Sequence, residues 1–314
     1  MRRYVLRRIA SVAVTLLFVS LLVFVVVRVL PGDPALVMLG TEASPDAVAA
    51  LRGKLGLDHP IPVQYAQWIG RAVRGDLGSS IQYNVPVTGL VLSRLSVTLP
   101  LTLMAAAFMV MAAVPLGVFA ATRHRRWGDY VTMTLSQLGI SIPAFWAGLL
   151  LILLFSVRLG WFKAGGFDGW SEGAGGALKS LLLPAVALGL FQFAVLARTT
   201  RSALLEVLRE EYVKTARAKG VAERVVLFRH ALRNAMIPVV TVAGVQLGQL
   251  MAGSIILESV FYLPGLGRLA LGAISARDLP VVQGVTLFVA ASIVLINFAV
   301  DLAYGVLDPR IRYE

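Results

Sequence analysis

The segment Arg198 to Asn234, with Glu211-Tyr212-Val213-Lys214-Thr215-Ala216-Arg217-Ala218-Lys219-Gly220 at its centre, is a polar island of 37 residues between two apolar runs, Ser180 to Ala197 and Asn234 to Leu257. It carries nine of the 29 Lys and Arg residues. A connection between two membrane spans needs only a few residues, so an island of this size has a purpose beyond connecting. Its reading depends on which side of a membrane it occupies.

Composition sets the solvent. Hydrophobic residues make up 58% and charged residues 15%, and the mean hydropathy is +0.79. Ordinary soluble domains carry about 25% charged residues. The chain therefore reads as a membrane protein. It has no Cys, which excludes disulfides, thiolate chemistry and Cys-based metal sites.

Six uncharged runs of 18 residues or more predict six transmembrane helices: Ile9 to Val27, Leu95 to Thr122, Tyr130 to Val157, Ser180 to Ala197, Asn234 to Leu257 and Leu279 to Val300. The first has the basic flank of a signal peptide, but its 19 residues span about 28 Å and no small-residue cleavage site follows. It is read as a retained span. Pro115, Pro143, Pro184 and Pro238 lie in or near four of the runs, where prolines kink helices either along a path or simply for packing.

Between the first two spans lies a small extramembrane lobe, residues 31–94. Ser44-Pro45-Asp46 has the form of a helix N-terminus and predicts a short helix to Leu55; a second follows Pro62 to about Arg74, where Gly75-Asp76-Leu77-Gly78 breaks it. The remaining divisions are an N-terminal tail with the first span (1–30), a core of five helices (95–307) and a C-terminal tail (308–314).

With the N-terminus inside, the inner segments hold 18 Lys and Arg against 11 outside. The positive-inside rule then puts both termini and the island Arg198 to Asn234 in the cytoplasm. The basic charge is accordingly an orientation signal, and nucleic acid is not an expected partner.

Catalytic constellations are missing. His59, His124 and His230 fall in three different loops, and neither a His-Glu-x-x-His pair nor a Gly-x-Ser-x-Gly elbow occurs. Gly173-Ala174-Gly175-Gly176-Ala177-Leu178-Lys179-Ser180 resembles a phosphate-binding loop but has Leu where Gly must precede Lys. No catalytic, cofactor-binding or metal-binding residue is expected in this chain. The polar residues at depth are Gln137 with Ser141, Gln192, Gln246 with Gln249, and Asn297; they either hydrogen-bond between helices or line a translocation path. Asp301 is the one acid inside an apolar run, near the cytoplasmic end of the sixth span, where an Arg partner or solvent is expected. Ion-coupled transporters place carboxylates near the midplane, and this chain has none there.

Within the island, Leu204, Leu205, Leu208 and Tyr212 recur at helical spacing, and Glu210 precedes Lys214 in the favourable i, i+4 order. Ala216, Ala218 and Gly220 then replace large side chains, with Gly220 as a helix C-terminal glycine. A second short helix is expected over residues 222–233. Physical chemistry leaves two readings open: a knob that docks on another protein, or an amphipathic pair lying on lipid headgroups.

Tyr212-Val213-x-Thr215-Ala216-Arg217-Ala218-Lys219-Gly220 is similar to the coupling segment of permease subunits of ATP-binding-cassette (ABC) importers, in the form used by the peptide/nickel branch. Further matches run through the chain: Val29-Leu30-Pro31-Gly32-Asp33-Pro34-Ala35, Leu55-Gly56-Leu57-Asp58, Gly75-Asp76-Leu77-Gly78, Glu258-Ser259-Val260-Phe261 with Leu263-Pro264-Gly265-Leu266-Gly267, and Asp308-Pro309-Arg310-Ile311-Arg312. Together they resemble the first permease subunit of dipeptide and oligopeptide importers. The resemblance implies an all-α type I permease fold in the bacterial cytoplasmic membrane, with a cytoplasmic coupling helix between the fourth and fifth spans. Glu211, Tyr212, Lys214, Thr215, Ala216, Arg217, Ala218, Lys219 and Gly220 would face an ATPase. It also implies a homologous second permease subunit, two ABC ATPase subunits that bind ATP and Mg, and an extracytoplasmic substrate-binding protein. Peptide is the implied cargo; nickel, glutathione and oligosaccharide members share the motifs. An ion-coupled carrier, or a membrane scaffold or enzyme, are the readings from other classes.

Overall fold

The computed structural model describes residues 2–29, 36, 44–54 and 57–307. Of the motifs quoted above, Leu30 to Ala35, Leu55-Gly56 and Asp308 to Arg312 lie outside them, as does the C-terminal tail. Among the described residues, extended pairing is confined to one isolated bridge, Ser79 to Pro86; the rest is helix and loop.

Helix α1 (Arg2–Val29) contains the first apolar run. Two short helices follow, α2 (Pro45–Lys54) and α3 (Ile61–Val73). Ser44 starts α2 as its sequence predicts, its hydroxyl accepting from the Ala47 N–H at 3.3 Å. The Gly-Asp-Leu-Gly break after α3 is built on Gly75 at φ 84° and on Asp76 Oδ1 accepting from the Gly78 N–H at 2.9 Å. Three long helices, α4 (Val87–Thr122), α7 (Ala174–Val207) and α9 (Glu223–Val260), make the core; α11 (Leu279–Leu307) packs on α9, and α1 packs on α11.

Lipid gives no hydrophobic drive for helices to associate, so close packing of small residues has to supply it. Gly117 and Gly189 of α4 and α7 do this. A Cβ on Gly117 would come within 2.7 Å of the Ala197 carbonyl oxygen, and one on Gly189 within 2.9 Å of that of Ala105. The two helices run parallel and their backbones approach closely at mid-length and again toward their C-terminal ends.

Two elements depart from the sequence reading. The third apolar run is not one rod. It forms α5 (Trp127–Ser141) and α6 (Ala144–Arg158), bent by 103°. Pro143 causes the break, because it restricts Ile142 to extended backbone (φ −91°, ψ 119°). Pro115, Pro184 and Pro238 remain inside continuous helices. The residues expected as a second short helix of the island are instead the first turns of α9, which runs unbroken from Glu223 through a π-helical turn at Val226–Ala231 into the fifth span. Nothing at Arg233-Asn234 can stop a helix, and charge alone only marks where it leaves the lipid.

The ends of the bundle are tied by polar contacts. Asp301 on α11 is paired with Arg8 on α1, as expected for a carboxylate near a span end. At the opposite end Asp278 is buried and accepts from the Ser80 hydroxyl and, at 3.0 Å, from the Gln82 N–H, fixing residues 79–86 to the start of α11.

Candidate functional site

The island forms one short helix, α8 (Glu211–Ala218), hung between α7 and α9. Glu211 in its first turn and Arg217 in its last match the helix dipole. Val213 is its one buried side chain and seats it on the start of α9, where Val226 is also buried. Tyr212 adds a polar pin: Asn234 Nδ2 donates to its hydroxyl at 2.7 Å.

The end of α8 is closed by a Schellman motif. The Val221 N–H reaches the Ala216 carbonyl at 3.2 Å and the Gly220 N–H reaches that of Arg217 at 2.9 Å. Gly220 is left-handed at φ 76°, and nothing lies within 4 Å of where its Cβ would be. Within this chain, then, Gly220 is required for backbone conformation and not for close approach. Arg217 braces the same corner: its Nη2 and Nε donate to Glu223 at 2.6 and 3.0 Å, which holds the guanidinium pKa above its ordinary value.

The expected Glu210 to Lys214 pair does not form. Glu210 precedes the helix at ψ 147°, and Lys214 pairs with Glu211 at 2.7 Å instead. Glu211, Tyr212, Lys214, Thr215, Ala218, Lys219 and Gly220 are exposed, and Ala216 is half-buried. The result is a rigidly braced helix with a small, basic, outward-facing surface. It can receive another protein, and it carries no nucleophile or acid–base pair.

A second constellation stands behind it and was invisible in sequence. Asp129, at the start of α5, is buried and accepts from Arg201 Nε at 2.5 Å, from Arg201 Nη2 at 2.7 Å and from the Arg125 N–H at 3.0 Å. His124 Nδ1 lies 3.3 Å from the same carboxylate and 3.1 Å from Arg201 Nη2. This clasp joins α5 to α7 ten residues before α8. No local spacing signals it, because its partners are 72 residues apart.

The amides at depth do not converge on one cavity. Gln192 donates to Gln249 Oε1 across α7 and α9 at 3.2 Å. Gln137 accepts from Arg198 at 2.7 Å, and Ser141 turns back to the Gln137 carbonyl at 3.0 Å. Asn297 is exposed on α11, with its Oδ1 3.5 Å from where a Cβ on Gly248 would sit. Gln246 is buried, and its Oε1 has no hydrogen-bond partner.

At the opposite end, the motif Glu258 to Gly267 is a knot. Glu258 is fully buried; its carboxylate accepts from the Thr98 hydroxyl at 2.6 Å and from the Gly267 N–H at 2.7 Å, capping helix α10 (Leu266–Ser275). A Cβ on Gly265 would sit 2.3 Å from the Glu258 carboxyl carbon, which explains the glycine.

Comparison with known proteins agrees with this geometry. Residues 113–313 match the family model described as binding-protein-dependent transport system inner membrane component, and residues 1–102 match the N-terminal model of the same systems. A Brucella abortus (strain 2308) protein named as a peptide transport system permease is 45% identical over 100% of both chains. The glutathione transport system permease protein GsiC of Salmonella choleraesuis (strain SC-B67) is 44% identical, again over 100% of both. Among solved structures, the inward-facing MetNI methionine ABC transporter superposes with a TM-score of 0.57 at 21% identity, covering 70% of this chain and 96% of that one, a likeness of fold. The chain belongs to the binding-protein-dependent transport system inner membrane components, as an ABC importer permease subunit of the type I fold and not an enzyme.

Proposed function

We propose that this subunit imports peptides, di- or oligopeptides in the first instance, by alternating access driven by ATP that partner subunits bind with Mg and hydrolyse. The observation that carries the reading is the full-length similarity to permeases named for peptide and for glutathione, the latter itself a small peptide. Glutathione, nickel or oligosaccharide as cargo of the same kind of complex is the second reading, with glutathione favoured among them by the 44% identical relative.

In this mechanism α8 sits in a cleft of an ATPase subunit on the cytoplasmic side. Glu211, Tyr212, Lys214, Thr215, Ala216, Ala218 and Lys219 supply its contact surface, while Arg217 and Gly220 fix its exit angle. Closure of two ATPases around ATP moves α8 as a lever. Because α8 is tied to α9 through Tyr212 and through the Arg217 to Glu223 pair, the motion passes to α9 without being absorbed in the linker. A homologous second permease subunit completes the path, and a substrate-binding protein delivers cargo to the outer face. Gln192, Gln246 and Gln249 lie on the core helices α7 and α9 where such a path would run, with the Gln192 to Gln249 hydrogen bond as the competing packing role.

The test is to purify the complex in mild detergent, identify its subunits and the ligand on the binding protein, and reconstitute it. Two ATPases, a second permease and a bound peptide are expected. In the same vesicles Gly220→Arg should assemble normally, hydrolyse ATP and lose uptake. Unchanged uptake by that variant would remove α8 from the coupling role, and a non-peptide ligand would replace the cargo.

A further inference from the structure

Sequence alone puts residues 61–73 in an extramembrane lobe, but the register of α3 against α1 sets Tyr65 and Trp68 beside residues inside the apolar run of α1. At about 100° per residue, Ile61, Tyr65, Trp68, Ile69, Ala72 and Val73 share one side of α3. Gln64, Gln67, Arg71 and Arg74 share the other.

The Tyr65 hydroxyl is 2.7 Å from Ser20 Oγ of α1. Phe24 of α1 meets the Tyr65 and Trp68 rings with centroids 5.5 and 5.9 Å apart. Val27 ends the apolar run of α1. Ser20 precedes it by seven positions and Phe24 by three, which at 1.5 Å per residue is about 10 and 4.5 Å inside the hydrocarbon edge. A helix gripping those two residues lies beside the span, below its end.

No residue of α3 is buried by protein. Its contact with α1 uses the Tyr65 and Trp68 edge of the apolar side; the other edge, with Ala66 and Val73, is exposed, Val73 by 82%. Leu17 and Leu21, which flank Ser20 on α1, are exposed too, so the apolar surface continues from one helix to the next. Tyr and Trp are enriched at the membrane interface, and Arg side chains can extend from below it to headgroup phosphates.

We propose that α3 is an interfacial helix seated in the leaflet on its own side of the membrane. Its Ala66 and Val73 edge contacts acyl chains, and its Gln67 and Arg74 edge contacts headgroups and water. The occupant of the exposed apolar edge is lipid, and residues 61–73 belong to the membrane part of the subunit.

The Cys-free chain suits the test. Single cysteines at Ala66, Gln67, Val73 and Arg74 would carry an environment-sensitive fluorophore in the assembled transporter, in phosphatidylcholine and phosphatidylglycerol vesicles, with the cysteine-free subunit controlling for labelling of partners. Labels at Ala66 and Val73 should lose fluorescence to nitroxide-bearing acyl chains and resist iodide. Labels at Gln67 and Arg74 should show the reverse. Iodide quenching at all four positions would return α3 to an aqueous lobe; shielding of Ala66 and Val73 from both quenchers would mean a protein covers them. Either result, or any pattern without the alternation, overturns the proposal. The outcome is independent of what the transporter carries.

Discussion

Among the described residues, two arginines grip carboxylates with both Nε and Nη2, and burial makes them unequal. The Arg201 to Asp129 pair is enclosed, with side chains 20% and 3% exposed; Arg217 and Glu223 are 40% and 65% exposed. Removing one partner of an enclosed pair strands a charge away from water, at a cost of about 3 to 5 kcal/mol. An exposed pair is screened and contributes about 0 to 1 kcal/mol. Asp129→Ala is therefore expected to lower the thermal unfolding temperature of the detergent-solubilised subunit clearly, and Arg217→Ala hardly at all. Equal shifts in a side-by-side melt would mean that the clasp is hydrated.

At the scale of elements, two short helices hold their places by different means. Helix α8 has one buried side chain, a hydroxyl pin and a left-handed glycine. Gly220→Ala forces a Cβ into φ 76°, worth about 1 to 2 kcal/mol of strain. That should shift the α8 exit and reduce uptake per ATP hydrolysed in reconstituted vesicles while leaving assembly intact; an unaltered ratio would show the exit angle to be unimportant. Helix α10 is capped by a buried carboxylate. Glu258→Ala leaves the Thr98 hydroxyl and the Gly267 N–H without their acceptor, at about 1 to 3 kcal/mol for each buried group. Faster amide hydrogen exchange over Leu266–Ser275 than over α9 is expected, and no difference between the two would count against the cap.

For the whole molecule, the charge asymmetry makes a claim about sidedness that single cysteines can check in intact cells. Lys214→Cys, on the basic end, should resist a membrane-impermeant maleimide until the cells are opened. Lys163→Cys, in the loop between α6 and α7, should react at once. The opposite pattern would invert the topology. Lys163 is itself salt-bridged to Asp168, which raises its pKa, so the substitution also releases a local contact.

Sequence by itself determined the lipid solvent, the position of the apolar runs, the start of α2, the turn at Gly220 and the motifs that carry the resemblance; it set α3 after Pro62, where the helix in fact begins at Ile61 behind Pro60. Each of these rests on period, composition or one residue's backbone preference, and such signals are local. Only the tertiary structure decided that the third run breaks at Pro143 while three other prolines do not, that the second helix of the island is the root of α9, and that Lys214 turns to Glu211. It alone joined Asp129 to Arg201, Glu258 to Thr98 and α3 to the side of α1. These are contacts between distant positions, fixed by how helices pack and where buried charges find partners, and no spacing along the chain encodes them.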